Sequence, residues 1–175
     1  EGHDRGDFLG PADPAERDRL LLRLMGSPDP MQLDGLGGTH SSTSKVMAVG
    51  PAGDPGADVD YLFAQVAVDE AVVDLTGNCG NLTAAVGHYA IDEGMVPYLV
   101  PSGPAAIVVR LRNLNTGVVI RATIPVSADG RAAWEGDTVI DGVPGTGATI
   151  VTDYLDPGGS VTGKLFPTGD RAEDL

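Results

Sequence analysis

The side chains best suited to proton transfer in this sequence are a cysteine and a lysine. Cys79, the single cysteine among 175 residues, lies in the segment TGNCGN, directly before a predicted helix. Free N–H groups and the dipole at a helix N-terminus favour the thiolate, which makes such a thiol a usable acid or base near neutral pH. Gly77 and Gly80 would allow a ligand to approach the backbone closely. The alternative is that a lone cysteine is simply a small buried hydrophobic residue.

Lys45 is the second candidate for proton transfer. Eleven residues are lysine or arginine, and of these Lys45 and Lys164 are the two lysines. A lysine between the polar run HSSTS and an apolar strand is therefore notable in a chain that otherwise uses arginine. When it is partly desolvated, a lysine can lose its proton and act as a base, which an arginine cannot do. The alternative is a lysine at a strand edge that points to water.

The loop before Lys45 is a candidate binding site for an anion. Its sequence GGTHSSTS combines five hydroxyl groups with glycines, and hydroxyl and backbone N–H groups can hold a carboxylate or a phosphate. The phosphate-binding pattern GxxxxGK[ST] is absent, so the loop is not a P-loop. Taken alone, a run of this kind is more often a solvated loop.

The first half of the chain contains two predicted helices. Asp13 and Pro14 form a helix start, and the apolar spacing continues to about Met25. The second helix follows Cys79 and ends near Gly94, and it is apolar on nearly all sides, which predicts a buried helix. Strands are predicted from about residue 45 and over residues 59–68.

The second half is predicted to be mostly β-structure. Residues 106–114 and 118–126 flank Asn115-Thr116-Gly117, which is a hairpin signal. Further strands are predicted around Trp134, in TVIDGV and in ATIVTDYL, and the acidic residues Asp58 and Asp60 are expected at strand ends facing solvent. The predicted fold class is α+β, with a mostly antiparallel sheet around one central buried helix.

Composition excludes several functional classes. With 25 acidic and 11 basic residues the net charge is −14, which argues against electrostatic binding of nucleic acid or anionic lipid. No apolar run approaches the roughly 20 residues of a membrane helix. A single cysteine excludes an internal disulfide and a zinc site built on several thiolates. A reducing, cytoplasmic location is the expectation.

Three ordered segments carry a resemblance to a known family. MGSPDPMQLDGLGGTHSSTSKV, DVDYLFAQV and GNCGNLTAAVG resemble the PrpF family of aconitate-type isomerases, and the match resumes at DYLDP and GKLFPTGD. The resemblance implies a fold similar to that of diaminopimelate epimerase. That fold has two lobes, each with a β-barrel-like sheet around a central helix, and an active site in the cleft between them.

The resemblance also implies a reaction without cofactor or metal. In the family, the lysine of the TSK motif and the cysteine of NCGN form the catalytic pair, which correspond here to Lys45 and Cys79. The expected substrate is a small tricarboxylate, with 2-methylaconitate favoured and 4-oxalomesaconate or a methylitaconate as alternatives. Which of the two residues removes the proton stays open. The residues expected to bind substrate are Thr43, Ser44, Asn78, Gly80 and Asn81.

Members of the family are about twice as long as this chain. The expectation is therefore that residues 1–175 form one lobe of a two-lobed protein, cut at both ends, whose partner is the second lobe or a second copy of the chain. The alternative from another functional class is a non-catalytic lobe with a binding or structural role. The isolated chain is expected to be catalytically silent.

Overall fold

The computed structural model describes residue 10 and residues 13–96, 105–155 and 166. In chain order the elements are α1 (Pro14–Met25), a 3-10 turn (Ser41–Thr43), β1 (Lys45–Pro51), β2 (Val59–Val66), β3 (Val73–Asp74), α2 (Gly80–Asp92), β4 (Ala105–Asn113), β5 (Val119–Val126) and β6 (Val151–Tyr154). Helices and strands therefore mix along the chain. The predicted α+β class is confirmed.

The first helix begins and ends where the sequence predicts. The side chain of Asp13 accepts a hydrogen bond from the backbone N–H of Ala15, and Pro14 occupies the first helical position, where its missing N–H costs nothing. At the other end Gly26 adopts a φ of 79°, the left-handed conformation that glycine tolerates best.

The described strands form one sheet in the order β1-β2-β4-β5-β6, with the short β3 also paired to β2. Neighbours are antiparallel except β2 and β4, which run parallel over residues 59–61 and 111–113. The β4–β5 turn is the predicted hairpin, and Gly117 supplies its positive φ of 77°. The side chain of Asn115 extends the sheet, because it bonds both the N–H and the carbonyl of Phe63 at 2.8 Å.

The second helix packs on the sheet, where it contacts β1, β4 and β5. Its close approach to β5 depends on Gly87, because a Cβ atom there would lie 2.8 Å from Cδ1 of Ile124. The core comprises residues of β2, β4, β5 and α2, chiefly Val59, Tyr61, Val86, Ala90, Val109, Leu111, Ile120 and Ile124. The predicted central helix of the sheet is therefore confirmed.

One part of that prediction needs correction, because α2 is not buried on all sides. Its core face carries Val86, Gly87 and Ala90, whereas Tyr89 is 48% exposed. The exposed side borders an apolar groove of about 490 Å³ between α2 and β1. Composition predicted burial correctly for one face only, since it cannot tell which faces of a helix meet other elements.

Two predicted strands are also wrong. Within residues 127–150, all of which the structure describes, there are isolated bridges but no strand. Around Trp134 the chain is bound to α2 instead, because Ala132 donates its N–H to Asp92 at 3.0 Å and the Trp134 ring lies 4.4 Å from that of His88. TVIDGV turns back on itself, with Val143 N–H bonded to Ile140.

Candidate active site

The two residues predicted for proton transfer lie in direct contact. The Nζ atom of Lys45 donates a hydrogen bond to Sγ of Cys79 at 3.6 Å, although 34 residues separate them in the chain. Both side chains are partly buried, so they are neither freely solvated nor sealed in the core. The predicted pairing of lysine and cysteine is therefore present in the described structure.

Cys79 lies at the start of α2. Its carbonyl oxygen accepts the N–H of Thr83 at 2.9 Å, which is the first hydrogen bond of the helix. The N–H groups of Gly80 and Asn81 come before that bond and lie in the exposed first turn. Such N–H groups, together with the helix dipole, favour a bound anion. The hydroxyl of Tyr154 lies beside Gly80, 3.6 Å from the position of a Cβ there.

Lys45 is the first residue of β1, and the end of β2 fixes its backbone. It pairs with Gln65 in the antiparallel β1–β2 register. The side-chain amide of Gln65 donates to the carbonyl oxygens of Ser41 and Ser44, both at 2.9 Å. The short turn before Lys45 is thereby tied to the sheet, which holds the lysine opposite the start of α2.

The hydroxyl-rich loop is organised around a buried glutamine. Gln32 donates through Nε2 to the hydroxyl of Ser44 at 2.8 Å and accepts the N–H of Thr39 at 2.9 Å. A Cβ on Gly37 would lie 2.2 Å from the same amide, so the loop wraps it closely.

Both hydroxyls that were expected to bind substrate, those of Thr43 and Ser44, have hydrogen-bond partners within the loop region. Ser44 is 0% exposed and bonded to Gln32, and the hydroxyl of Thr43 donates to the carbonyl oxygen of His40 at 3.0 Å. The structure does not place the Ser44 side chain on the surface beside Lys45. Neither hydroxyl therefore enters the function proposed below.

Asn78 is the exposed side chain next to Cys79, and a buried network holds it. Its Oδ1 accepts the hydroxyls of Tyr61 and Thr83, each at 3.1 Å, and Tyr61 in turn accepts Nδ2 of Asn113 at 3.1 Å. Sequence reasoning assigned Tyr61 and Asn113 to strands and missed this role. A tyrosine inside an apolar strand needs a partner for its hydroxyl, and that requirement was the available signal.

The site combines one amine, one thiol and a helix N-terminus, which is the equipment for moving protons beside a bound carboxylate. Among the described residues no group of three or more His, Cys, Asp or Glu side chains could hold a metal ion. The fold and the site together define a candidate acid/base site, which lies where strand β1 and helix α2 begin next to each other.

Comparison with known proteins gives the family. The model of the PrpF protein family matches residues 2–175, so this chain belongs to the PrpF family. A crystal structure of methylitaconate-Δ-isomerase has the same fold, with a TM-score of 0.84, 48% identity and coverage of 97% of this chain and 42% of that one.

Curated relatives share sequence along nearly the whole chain. The 3-methylitaconate isomerase of Eubacterium barkeri is 47% identical over 99% of this chain, and the 4-oxalomesaconate tautomerase of Pseudomonas putida is 49% identical over 93%. The 2-methyl-aconitate isomerase of Cupriavidus necator is 42% identical over 95%. The chain spans 46%, 44% and 42% of these proteins, respectively, which is less than half the length of each.

No helix among the described residues has both the length and the apolar character needed to cross a membrane.

Proposed function

We propose that this chain supplies the proton-transfer residues of an isomerase that shifts an allylic proton in a small unsaturated di- or tricarboxylate. The contact between Lys45 Nζ and Cys79 Sγ at 3.6 Å carries the proposal. An allylic carbon bound beside this pair would lie within reach of both an amine and a thiol. Membership of a family whose named relatives are isomerases and a tautomerase supports the same reaction class.

The reaction needs two proton carriers and a stabilised carbanion. A C–H bond next to a C=C bond conjugated with a carboxylate is broken by one group of the pair, and the electron pair spreads over the allylic system. Return of a proton at either end moves the double bond or changes its geometry, with no net change in composition. The N–H groups of Gly80 and Asn81 would hold a carboxylate at the start of α2 and stabilise the developing negative charge.

The substrate is the finer part of the proposal. The SSTSK form of the loop resembles the methylaconitate branch of the family, whereas the methylitaconate and oxalomesaconate relatives have higher identity, at 47% and 49% against 42%. Measuring the turnover of all three compounds with one preparation of the full-length protein ranks them directly. The compound with the highest kcat/KM is the assigned substrate.

We further propose that residues 1–175 form one wall of the substrate cleft in a longer protein. Coverage of 42–46% of the relatives supports this arrangement. Efficient transfer requires the reacting carbon to be held against both groups with water excluded, which one open surface cannot achieve. The isolated chain should therefore be silent, and full activity from its monomer would contradict the two-walled cleft.

The test of the chemistry compares two substitutions at Lys45 in the full-length protein. Arg keeps the positive charge but cannot supply a neutral amine, whereas Ala removes both. If Lys45 exchanges the proton, Lys45→Arg and Lys45→Ala should both lower kcat by roughly a hundredfold or more. If Lys45 only binds a carboxylate, Lys45→Arg should keep kcat and raise KM, which would reassign the residue to binding.

A further inference from the structure

The orientation of the Asn113 side chain follows from its backbone partners. The N–H groups of Asn115 and Thr116 point at the same side-chain atom of Asn113, at 2.7 and 3.0 Å. Backbone N–H groups can only donate, so this atom must be the amide oxygen. The other branch of the amide is therefore the NH2 group, and it faces Tyr61 at 3.1 Å.

The orientation of the Asn113 amide determines the direction of the next hydrogen bond, from Tyr61 towards the site. The hydroxyl oxygen of Tyr61 accepts from Asn113, and its single hydrogen has two neighbours, Oδ1 of Asn78 at 3.1 Å and the hydroxyl oxygen of Thr83 at 3.4 Å. We assign the hydrogen to Oδ1 of Asn78, which is the nearer of the two. Both Tyr61 and Asn113 are 0% exposed. Burial raises the pKa of the Tyr61 hydroxyl above its ordinary value, against the opposing effect of its hydrogen bonds with Thr83, Asn113 and Asn78. The hydroxyl therefore stays a donor throughout the working pH range.

At the start of α2, two hydroxyl hydrogens, those of Tyr61 and Thr83, serve two acceptor oxygens. Two acceptors, Oδ1 of Asn78 and the carbonyl oxygen of Cys79, lie within 3.1 Å of the Thr83 hydroxyl, which has one hydrogen. The hydrogen of Tyr61 supplies the second bond. Without it, the two acceptors would compete for Thr83, and the amide of Asn78 would lose its fixed orientation.

We propose that Tyr61 and Asn113 are positioning residues, which turn the oxygen of Asn78 inwards so that its NH2 group faces the substrate beside Cys79. Among the described residues Nδ2 of Asn78 has no hydrogen-bond partner, whereas its Oδ1 has two. An NH2 group in this place donates to a substrate carboxylate and carries no charge that varies with pH. This inference rests on the function proposed above.

The main test is a double-mutant cycle in the full-length protein with Tyr61→Phe and Asn78→Ala. Tyr61→Phe keeps the ring and removes the hydroxyl. If it acts through Asn78, it should raise KM roughly five- to tenfold with little change in kcat, because a ground-state contact is weakened. In the Asn78→Ala background the same substitution should have no further effect. An undiminished effect in that background overturns the proposal.

Asn113→Asp provides a second variant with the hydroxyl of Tyr61 intact. A carboxylate still accepts the two backbone N–H groups but also accepts from Tyr61, so the hydrogen turns away from Asn78. Its KM should rise as in Tyr61→Phe, and wild-type kinetics would overturn the proposed direction. Tyr89→Phe is the matched control, because it removes a hydroxyl from the exposed side of α2 and should leave KM unchanged.

A binding measurement separates this inference from the reaction itself. Tricarballylate is a saturated tricarboxylate that cannot isomerise, so its Kd reports carboxylate binding alone. If the wild-type protein turns over none of the three candidate substrates, the proposed function fails, and the Kd for tricarballylate replaces KM in the same cycle. A Kd that is equal in wild type and Tyr61→Phe, or no binding at all, overturns the positioning role.

Discussion

The junction between β2 and β4 is held differently on its two faces. On one face Asp60 pairs with Arg112 and Asp58 with Arg110, whereas on the other Tyr61 bonds Asn113. Alternation along the strands separates these sets, because neighbouring residues of a strand point to opposite faces. The short parallel pairing, together with Asp58 and Arg110 directly before it, therefore has a charged face and a neutral face.

The charged face ties β2 to β4, whose backbone pairing is short. β2 pairs with β1 from residue 59 to 65, but with β4 only over residues 59–61. Arg112 holds Asp60 through two nitrogens, at 2.8 and 3.0 Å, and reaches Asp54 at 3.1 Å. Such bidentate pairs add both energy and geometric definition.

The neutral face reaches the candidate active site. Tyr61 and Asn113 lie under α2, where burial of an unpaired charge would cost far more than burial of a hydrogen-bonded amide or hydroxyl. Their network ends at Asn78, beside Cys79. The comparison suggests that charge serves stability on one face, whereas neutral donors serve orientation on the other.

Arg112→Met should give the largest effect on stability. It leaves the carboxylate of Asp60 buried without its main partner, which costs about 3–5 kcal/mol of unfolding free energy. Turnover per folded molecule should not change, since Arg112 lies on the charged face. Urea denaturation measures the loss, and Arg19→Met, at an exposed 4.0 Å pair, is the control with an expected change below about 0.5 kcal/mol. A large fall in kcat for Arg112→Met would contradict the assignment of the charged face to stability alone.

Cys79→Ser should lower turnover strongly and leave stability nearly unchanged, which is the reverse of Arg112→Met. Loss of an acid/base group lowers turnover by roughly a hundredfold, equivalent to about 2.7 kcal/mol of activation free energy. Serine has a similar size, so the unfolding free energy should stay within about 0.5 kcal/mol. Steady-state kinetics and urea denaturation of the full-length protein provide both numbers. A near-normal kcat would remove Cys79 from the mechanism.

Tyr61→Phe should lower stability by an intermediate amount, about 1–3 kcal/mol. The cost arises because Nδ2 of Asn113 would remain buried without an acceptor. No charged group takes part in this contact, so the loss should be the same at pH 5 and pH 8. Denaturation at both pH values checks this, and a strongly pH-dependent loss would show that the two faces are coupled.

Asp58→Asn should give the smallest effect, and that effect should shrink in acid. Burial tends to raise the pKa of Asp58, but the hydrogen bonds and charge of Arg110 outweigh it and hold the pKa below its ordinary value of 3.8. A depressed native pKa stabilises the fold above the unfolded-state value, and this contribution disappears as pH falls through the native value.

The variant should therefore lose about 0.2–1 kcal/mol at pH 7 and less at pH 3, because the side chain of Arg110 is 43% exposed and solvent screens the pair. Unfolding free energies of both proteins at the two pH values measure the difference. A loss that is equal at pH 7 and pH 3 would show that the pair does not contribute through charge.

Local patterns were sufficient for much of the fold and for choosing Lys45 and Cys79 as candidates for proton transfer. Asp13, Pro14 and Gly26 determine where α1 begins and ends, because capping depends on residues within one turn. The strands with β-branched and apolar runs were predicted within a few residues for the same local reason. Cys79 at a helix start and Lys45 before a strand were recognised from their immediate neighbours.

Tertiary structure decided what depends on distant partners. Asp60 was expected to face solvent but is buried, because Arg112, 52 residues away, neutralises it. The buried hydroxyl of Ser44 accepts from Gln32, and TVIDGV is apolar yet exposed because none of the described elements covers it. The sequence by itself thus determined residue types and local conformation. Which side chains meet was decided only by the packing of the sheet and α2, since burial and hydrogen-bond satisfaction are properties of the folded neighbourhood.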